Sequence, residues 1–372
     1  MTAMNDTAHA PTPLEAEIRR RIEAAGPMPV AEYMGLCLSD PQHGYYVTRD
    51  PLGARGDFIT APEVSQMFGE LIGIWMSAVW KQMGAPAQVR IVELGPGRGT
   101  LMKDAMRAAQ VVPAFRAAVV LDLVEISPVL RAQQQQTLAS TKIETHWYES
   151  IRDVPDGPAI IIANEFFDAI PISQAVRAED GWHERCVGIG EDGRFTFVLA
   201  PEPMKHIDVL LPKAAREAPV DSIFEWRSDN AAIDLGRRVA QGSAALVIDY
   251  GHSETDFGDT LQAVGKHAYA DPLREPGEVD LTAHVDFEPL TRAVELMGAK
   301  GYGPITQSRL LRALGIETRA ATLKAKATRA QAAEVDLALA RLIGIGRTGM
   351  GDLFKAAAYV ASTLPPPPAF EP

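Results

Sequence analysis

V-R-I-V-E-L-G-P-G-R-G-T, residues Val89 to Thr100, is the stretch whose reading decides the fold. Val89 to Leu94 is a short apolar run with β-branched residues, the pattern of a buried strand. Gly95, Gly97 and Gly99 break it, and Thr100 to Ala109 (T-L-M-K-D-A-M-R-A-A) is rich in strong helix formers. The order is strand, glycine turn, helix. Glycines let the backbone approach a ligand, and the helix start offers unpaired N–H groups. The spacing is G-x-G-x-G, with Thr100 where a dinucleotide fingerprint has its last small residue. Glu93 stands two residues before the first glycine. A buried acid there is awkward beside a pyrophosphate and suits the cationic methionine end of S-adenosylmethionine. On the turn alone that donor is favoured over NAD or FAD, and a tight βα turn without a ligand is the plain alternative.

Working outward, Ala117 to Glu125 (A-A-V-V-L-D-L-V-E) reads as a second strand, ending in an acid placed to meet ribose hydroxyls. A helix over Val129 to Ala139 follows, then a short third strand over Lys142 to His146. Pro158 to Ala163 is a fourth strand and runs into N-E-F-F-D-A-I-P, Asn164 to Pro171. Ala244 to Asp249 is a fifth strand, Tyr302 to Gln307 a sixth, and Met350 to Ala361 holds the last. This order predicts an α/β fold: a doubly wound, seven-stranded, Rossmann-like sheet of the class I methyltransferase type, its final strand antiparallel.

The remaining segments decorate that sheet. Residues 14–86 read as an N-terminal helical region packing on the core, including one long helix over Pro62 to Met83. The core is expected over 87–173 and 242–306, with an inserted substrate-side segment over 174–241, its first part antiparallel β. A helical insertion spans 307–349, the last core strand lies in 350–362, and 1–13 and the proline-rich 363–372 are expected to be flexible tails.

Composition narrows the function classes. The 372 residues carry a formal net charge of −12, which repels phosphate backbones, so nucleic acid is not an expected partner and a basic protein segment is. Two cysteines, Cys37 and Cys186, have no metal-ligand spacing and fit a reducing compartment, so no bound metal is expected. No apolar run approaches the roughly 18 residues of a membrane span. The N-terminus shows neither a secretory nor an arginine-rich transit pattern. A cytoplasmic location follows as the expectation.

The octapeptide Asn164 to Pro171 is a second chemical centre, since ligand-binding groups collect beyond the carboxyl ends of strands in such sheets. Helix capping by Asn164 or Asp168, with two core phenylalanines, is the structural alternative. Loop 53–65 (G-A-R-G-D-F-I-T-A-P-E-V-S) adds Asp57, Thr60, Glu63 and Ser65. His252 and His284 are possible proton acceptors, although a lone histidine is more often a hydrogen-bonded structural group.

Together these segments resemble the MidA family of S-adenosylmethionine-dependent methyltransferases, whose mitochondrial members are protein arginine methyltransferases that assist assembly of respiratory complex I. The resemblance rests on D-P-Q-H-G-Y-Y (40–46), G-D-F-I-T-A-P-E-V-S (56–65), E-L-G-P-G-R-G-T (93–100), V-E-I-S-P-V-L-R (124–131) and A-N-E-F-F-D-A-I-P (163–171). It continues through V-I-D-Y-G-H (247–252), D-L-T-A-H-V-D-F (280–287), L-L-R-A-L-G-I (310–316) and M-G-D-L-F-K (350–355). It implies donor binding by Thr60, Glu93, Gly95, Gly97, Gly99, Thr100 and Glu125, with S-adenosyl-L-methionine as cofactor. It also implies a protein substrate with an arginine-containing segment, in particular the large quinone-side subunit of complex I.

A guanidinium is cationic, so carboxylates can pair with it and aim one nitrogen at the methyl group. Glu165 and Asp168 are the first candidates, with Asn164 and His252 beside them as catalytic groups. Asp57, Glu63, His284 and the rings of Phe166 and Phe167 are candidates for substrate contact. Two other classes stay open: a small-molecule O- or N-methyltransferase on the same sheet, and a non-catalytic assembly factor that binds the donor only structurally.

Overall fold

The computed structural model describes residues 11–48, 60–209, 211, 218–265, 268–346 and 348–371. The chain divides into two units, Met1–Arg49 with Pro171–Trp226 and Phe257–Thr282, and Asp50–Ile170 with Arg227–Asp256 and Ala283–Pro372.

The larger unit carries the sheet. Its strands are β1 (Val89–Leu94), β2 (Val119–Val124), β3 (Thr145–Tyr148), β4 (Ala159–Asn164), β5 (Ala244–His252), β6 (Ala299–Thr306) and β7 (Phe354–Ala361). They lie in the order β6-β7-β5-β4-β1-β2-β3, and a short strand Val285–Asp286 joins the end of β5. The pairs β3–β2, β2–β1, β1–β4 and β4–β5 are parallel, while β7 runs antiparallel to both β5 and β6. Such strands are buried on both faces, which explains the unbroken I-I-I of β4 and the absence of polar alternation.

Successive residues still point to opposite faces. Ile91, Leu121, Ile160, Ile162, Leu246 and Ile248 belong to one cluster, with helices α1 (Gln66–Gln82) and α2 (Thr100–Ala108). Val92, Leu94, Ile161, Ala163 and Val247 belong to the other, with α4 (Asn230–Ala240) and α5 (Phe287–Leu296); α3 (Pro128–Leu138) follows β2. Helices α1 and α2 approach closely. A Cβ at Gly73 would stand 2.5 Å from the Ala105 carbonyl oxygen, and one at Gly69 would stand 2.8 Å from that of Leu101. The glycines of α1 therefore set how near the motif helix lies.

Parallel register brings the carboxyl ends of four strands to one edge. Leu94 lies opposite Val124 and Ala163, and Asn164 lies opposite Ile248. The glycine turn, Glu125, Glu165 and Asp249 all follow within a residue of those positions. In the smaller unit, antiparallel strands Ile172–Ala178, Gly181–Ile189 and Phe195–Leu199 form the expected β insertion. Met28–Pro29 pairs with Gly181–Ile189, so the N-terminal segment belongs to this sheet.

Several elements depart from the sequence reading. The long helix over Pro62 to Met83 is two helices, Ala61–Val64 and α1. Ser65 is extended (φ −164°, ψ 140°), and its hydroxyl accepts the Met67 N–H as an N-cap. The third strand is Thr145–Tyr148, because Lys142 adopts a left-handed φ of 56° after a 3-10 turn. Strand β2 starts at Val119, since Pro113 opens a helix that runs to Ala118. The N-terminal helical region is not one body: Pro13–Ala25 and Val30–Ser39 fall in the smaller unit, and α1 falls in the larger.

Of the two expected tails, residues 1–10 lie outside the described residues, and the described parts of both are tied to the fold. Thr12 is buried, N-caps Pro13–Ala25 and donates its hydroxyl to the Pro276 carbonyl at 2.9 Å. At the other end, Phe370 is buried in the core, and the Trp75 indole N–H and the Gln82 amide donate to the carbonyls of Pro368 and Pro366. Proline-rich backbone cannot pair in a ladder, but its carbonyls remain good acceptors.

Candidate active site

The glycine turn closes the carboxyl end of β1. Gly95, Gly97 and Gly99 have φ of 62°, 53° and 80°, a conformation that costs an L side chain about 1–2 kcal/mol. The Gly95 N–H donates to the Val124 carbonyl at 3.1 Å, which ties the turn to β2. Gly99 caps α2 without a side-chain bond, leaving first-turn N–H groups for a ligand. A Cβ at Gly95 would meet the Phe166 ring at 3.0 Å, so the turn and the octapeptide touch.

Glu93 lies beneath the turn, 3% exposed, and its Oε2 is buried without a hydrogen-bond partner. Burial, with the Glu125 charge second, pushes its carboxyl well above the usual range. An orphaned carboxyl oxygen in this place is complementary to a cationic group.

At the end of β2, Glu125 is held from within. Its Oε1 accepts the Ser127 N–H at 2.8 Å and its Oε2 accepts the Gln134 amide at 3.1 Å. Burial raises its pKa, and those two donors oppose the rise. Thr100 donates its hydroxyl to Glu63 at 2.5 Å, so Glu63 pairs with the motif helix. Thr60 is the N-cap of Ala61–Val64 without a side-chain cap bond. Asp57 lies outside the described residues.

The octapeptide is organised by Asp249, at the end of β5. Its Oδ2 accepts the N–H groups of Phe166, Phe167 and Asp168 at 3.2, 2.9 and 3.2 Å, and its Oδ1 that of Tyr250 at 3.0 Å. Converging N–H groups of this kind form an anion-binding nest, here filled by the protein's own carboxylate. The nest bends the chain directly after β4, and Glu165 takes up a left-handed φ of 52°. Its Oε1 accepts the Ala61 N–H at 3.2 Å and the Asn164 amide at 3.1 Å, leaving Oε2 for a further partner.

Desolvation, with the Asp168 charge second, pushes the Glu165 carboxyl up to about 7. Asp168 is 5% exposed, and its Oδ1 is buried without a partner. Burial raises its pKa to about 6, against a hydrogen bond from Tyr250 and the charge of Arg227. Burial and the charges of Asp168 and Glu165 push Asp249 upward as well. Three acids, two in the octapeptide and one at the end of β5, therefore compete for protons.

Arg227 fixes the far side. Its guanidinium donates to the carbonyls of His284 (2.6 Å), Ala283 (2.6 Å) and Ile170 (3.2 Å), and the Ala283 N–H donates to the Asp168 carbonyl at 3.1 Å. The octapeptide and the 283–286 segment are thereby joined. The His284 ring meets Tyr250 edge to face at 5.5 Å, and burial, His252, Arg227 and Lys355 lower its pKa. His252 Nε2 lies 3.7 Å from Asp286 Oδ2.

Of the expected residues, the strand ends bring together Glu93, the three glycines, Glu125, Asn164, Glu165 and Asp168. Phe167 is a core side chain at 3% exposure, as the structural alternative had it, and Phe166 is half-buried against the turn. Asp249, Tyr250, Gln134 and Arg227 were not among the sequence candidates. Asp249 and Tyr250 are signalled by an acid and a ring at a strand end; Gln134 only by its phase with Leu130 and Leu138; Arg227 by nothing local.

Comparison with known proteins places this arrangement. Residues 71–305 match a family model described as an S-adenosyl-L-methionine-dependent methyltransferase. Protein arginine methyltransferase NDUFAF7, mitochondrial, from Danio rerio is 38% identical over 80% of this chain and 76% of its own. The Homo sapiens protein of that name is 37% identical over 85% and 76%. A COG1565 superfamily member from Burkholderia thailandensis, bound to S-adenosyl-homocysteine, superposes with a TM-score of 0.84, 28% identity and 97% coverage of both chains. These mitochondrial names overturn the cytoplasmic expectation, which rested only on the cysteine count and the lack of a recognised leader. Among the described residues no helix is long and apolar enough to cross a membrane. With its glycine turn, strand-end acids and sheet order, the chain belongs to the MidA-type family of class I S-adenosylmethionine-dependent methyltransferases.

Proposed function

We propose that this methyltransferase modifies an arginine side chain of a protein, and that the protein is a subunit of respiratory complex I, in particular its large quinone-side subunit. The curated relatives named protein arginine methyltransferases support the acceptor class. The observation that carries the reading is the pair Glu165 and Asp168, each with one carboxylate oxygen to spare beside the glycine turn.

In this reading the glycine turn, Glu93, Thr60 and Thr100 hold the donor and Glu125 meets its ribose. The donor supplies a methyl group on a cationic sulfur. Glu165 Oε2 and Asp168 Oδ1 pair with the guanidinium and orient one nitrogen. Methyl transfer forms an N–C bond, breaks the S–C bond and leaves one proton on nitrogen in excess, which an ionised Glu165 or Asp168 accepts. Asn164 holds Glu165 in place, and His252 and His284 border the acceptor side.

The test is incubation with isotopically labelled S-adenosylmethionine and isolated complex I subunits, followed by mass spectrometry. Methylarginine in one subunit is the expected result. Label on a small molecule, or donor binding with no transfer to any subunit, would overturn the proposal.

A further inference from the structure

Gln134 is fully buried and uses its whole amide. Its Oε1 accepts the Trp147 indole N–H at 2.9 Å, which fixes the amide's orientation. Its Nε2 then donates in two directions, to the Gly97 carbonyl at 2.7 Å and to Glu125 Oε2 at 3.1 Å. An amide nitrogen has two hydrogens, and both are committed. One side chain from α3 thus joins the middle of the glycine turn to the strand-end acid, with β3 fixing it from behind. Ser127 holds the other oxygen of the same carboxylate.

We propose that Gln134 is a positioning residue: anchored on the Gly97 carbonyl and the Trp147 indole, it aims the remaining lone pairs of Glu125 at the donor's ribose hydroxyls. The inference rests on the reading that Glu125 meets the ribose. Gln134 itself touches no ligand. A second consequence is electrostatic. The amide donates to the charged form of a buried carboxyl, so its loss favours protonated Glu125, a poorer acceptor.

The experiment is calorimetric titration of the full chain with two probes, S-adenosylhomocysteine and an analogue lacking both ribose hydroxyls. Gln134→Met keeps length and removes both donors. We expect it to weaken S-adenosylhomocysteine roughly tenfold or more and the analogue by less than about threefold, since only the first uses the aimed carboxylate. Equal losses for both probes, or no loss, would overturn the proposal.

Glu125→Gln tests the underlying reading separately. If that variant keeps full preference for the ribose hydroxyls, the assignment of Glu125 fails. If it loses the preference while Gln134→Met does not, only the positioning role fails. Gln134→Glu guards against a folding artefact, because it keeps an acceptor for Trp147. The introduced carboxyl can donate to Glu125 only when protonated, so its affinity for S-adenosylhomocysteine should rise as pH falls from about 8 to about 6, with no such rise in the parent protein. A flat profile with a native melting temperature would count against the proposal.

Discussion

Glu165 combines three features that seldom coincide: a left-handed backbone, a raised pKa and a carboxylate oxygen with no assigned partner. If it clamps a guanidinium it must be ionised, so turnover should climb with pH between about 6 and 8 and level off above. Glu165→Gln should lower turnover roughly a hundredfold or more and flatten that limb, with donor affinity nearly unchanged. A pH–rate profile on both proteins, with donor titrations alongside, checks this; normal turnover would remove Glu165 from the mechanism. Stability should move the opposite way. Folded Glu165 holds its proton up to about 7, while the unfolded chain releases it near the ordinary value of 4.5. Between those values the folded state binds more protons, so stability falls as pH rises through the window. Thermal melts across that range should show less of this decline in Glu165→Gln.

Gly97 is the other decisive residue. Its φ of 53° is one that valine adopts only under strain. Gly97→Val should abolish donor binding while circular dichroism stays native; undiminished affinity would refute the role given to the turn. Residues of this kind were legible because backbone geometry demands glycine and because an acid at a strand end has few structural uses. Gln134, one of four consecutive glutamines, was not, since only helix phase separates it from its solvent-facing neighbours.

At the scale of elements, the approach of α1 to α2 is the most testable packing feature. Gly73→Ala places a methyl group against the Ala105 backbone and should cost about 1–3 kcal/mol. It should also weaken donor binding, because α2 carries the glycine turn. Paired melting and titration measurements would check both, and an unchanged melting temperature would mean that the helices yield freely. The sequence showed α1 as part of one long helix but not its break at Ser65, since a cap and a mid-helix serine differ only in backbone conformation. The C-terminal segment was misread for a related reason. Proline richness signals extended backbone, and extended backbone can still dock. Phe370→Ala should lower stability by about 3–5 kcal/mol, read as a denaturant midpoint.

Across the whole molecule, the seven-stranded sheet with its antiparallel last strand was readable from seven strand-like runs, the last of them following a helical insertion. The division into units was not. The smaller unit draws on three separated segments, and nothing local in Met28–Pro29 reveals that it pairs with Gly181–Ile189. The charge of −12 bears on association. Binding to a basic subunit should weaken as salt rises, mainly through a slower on-rate, and salt-independent kinetics would exclude electrostatic steering.

The position of β7 has a further consequence, for biosynthesis. This strand is the last of the seven to be synthesised, yet it lies inside the sheet, between β5 and β6. Until residues 354–361 emerge, the apolar A-A-L-V-I edge of β5 has no neighbour on that side. A nascent chain therefore carries a bare, sticky strand through more than a hundred residues of synthesis, the situation in which edge-to-edge association competes with folding. The sheet covers that edge of β5 only once its seventh strand has been made.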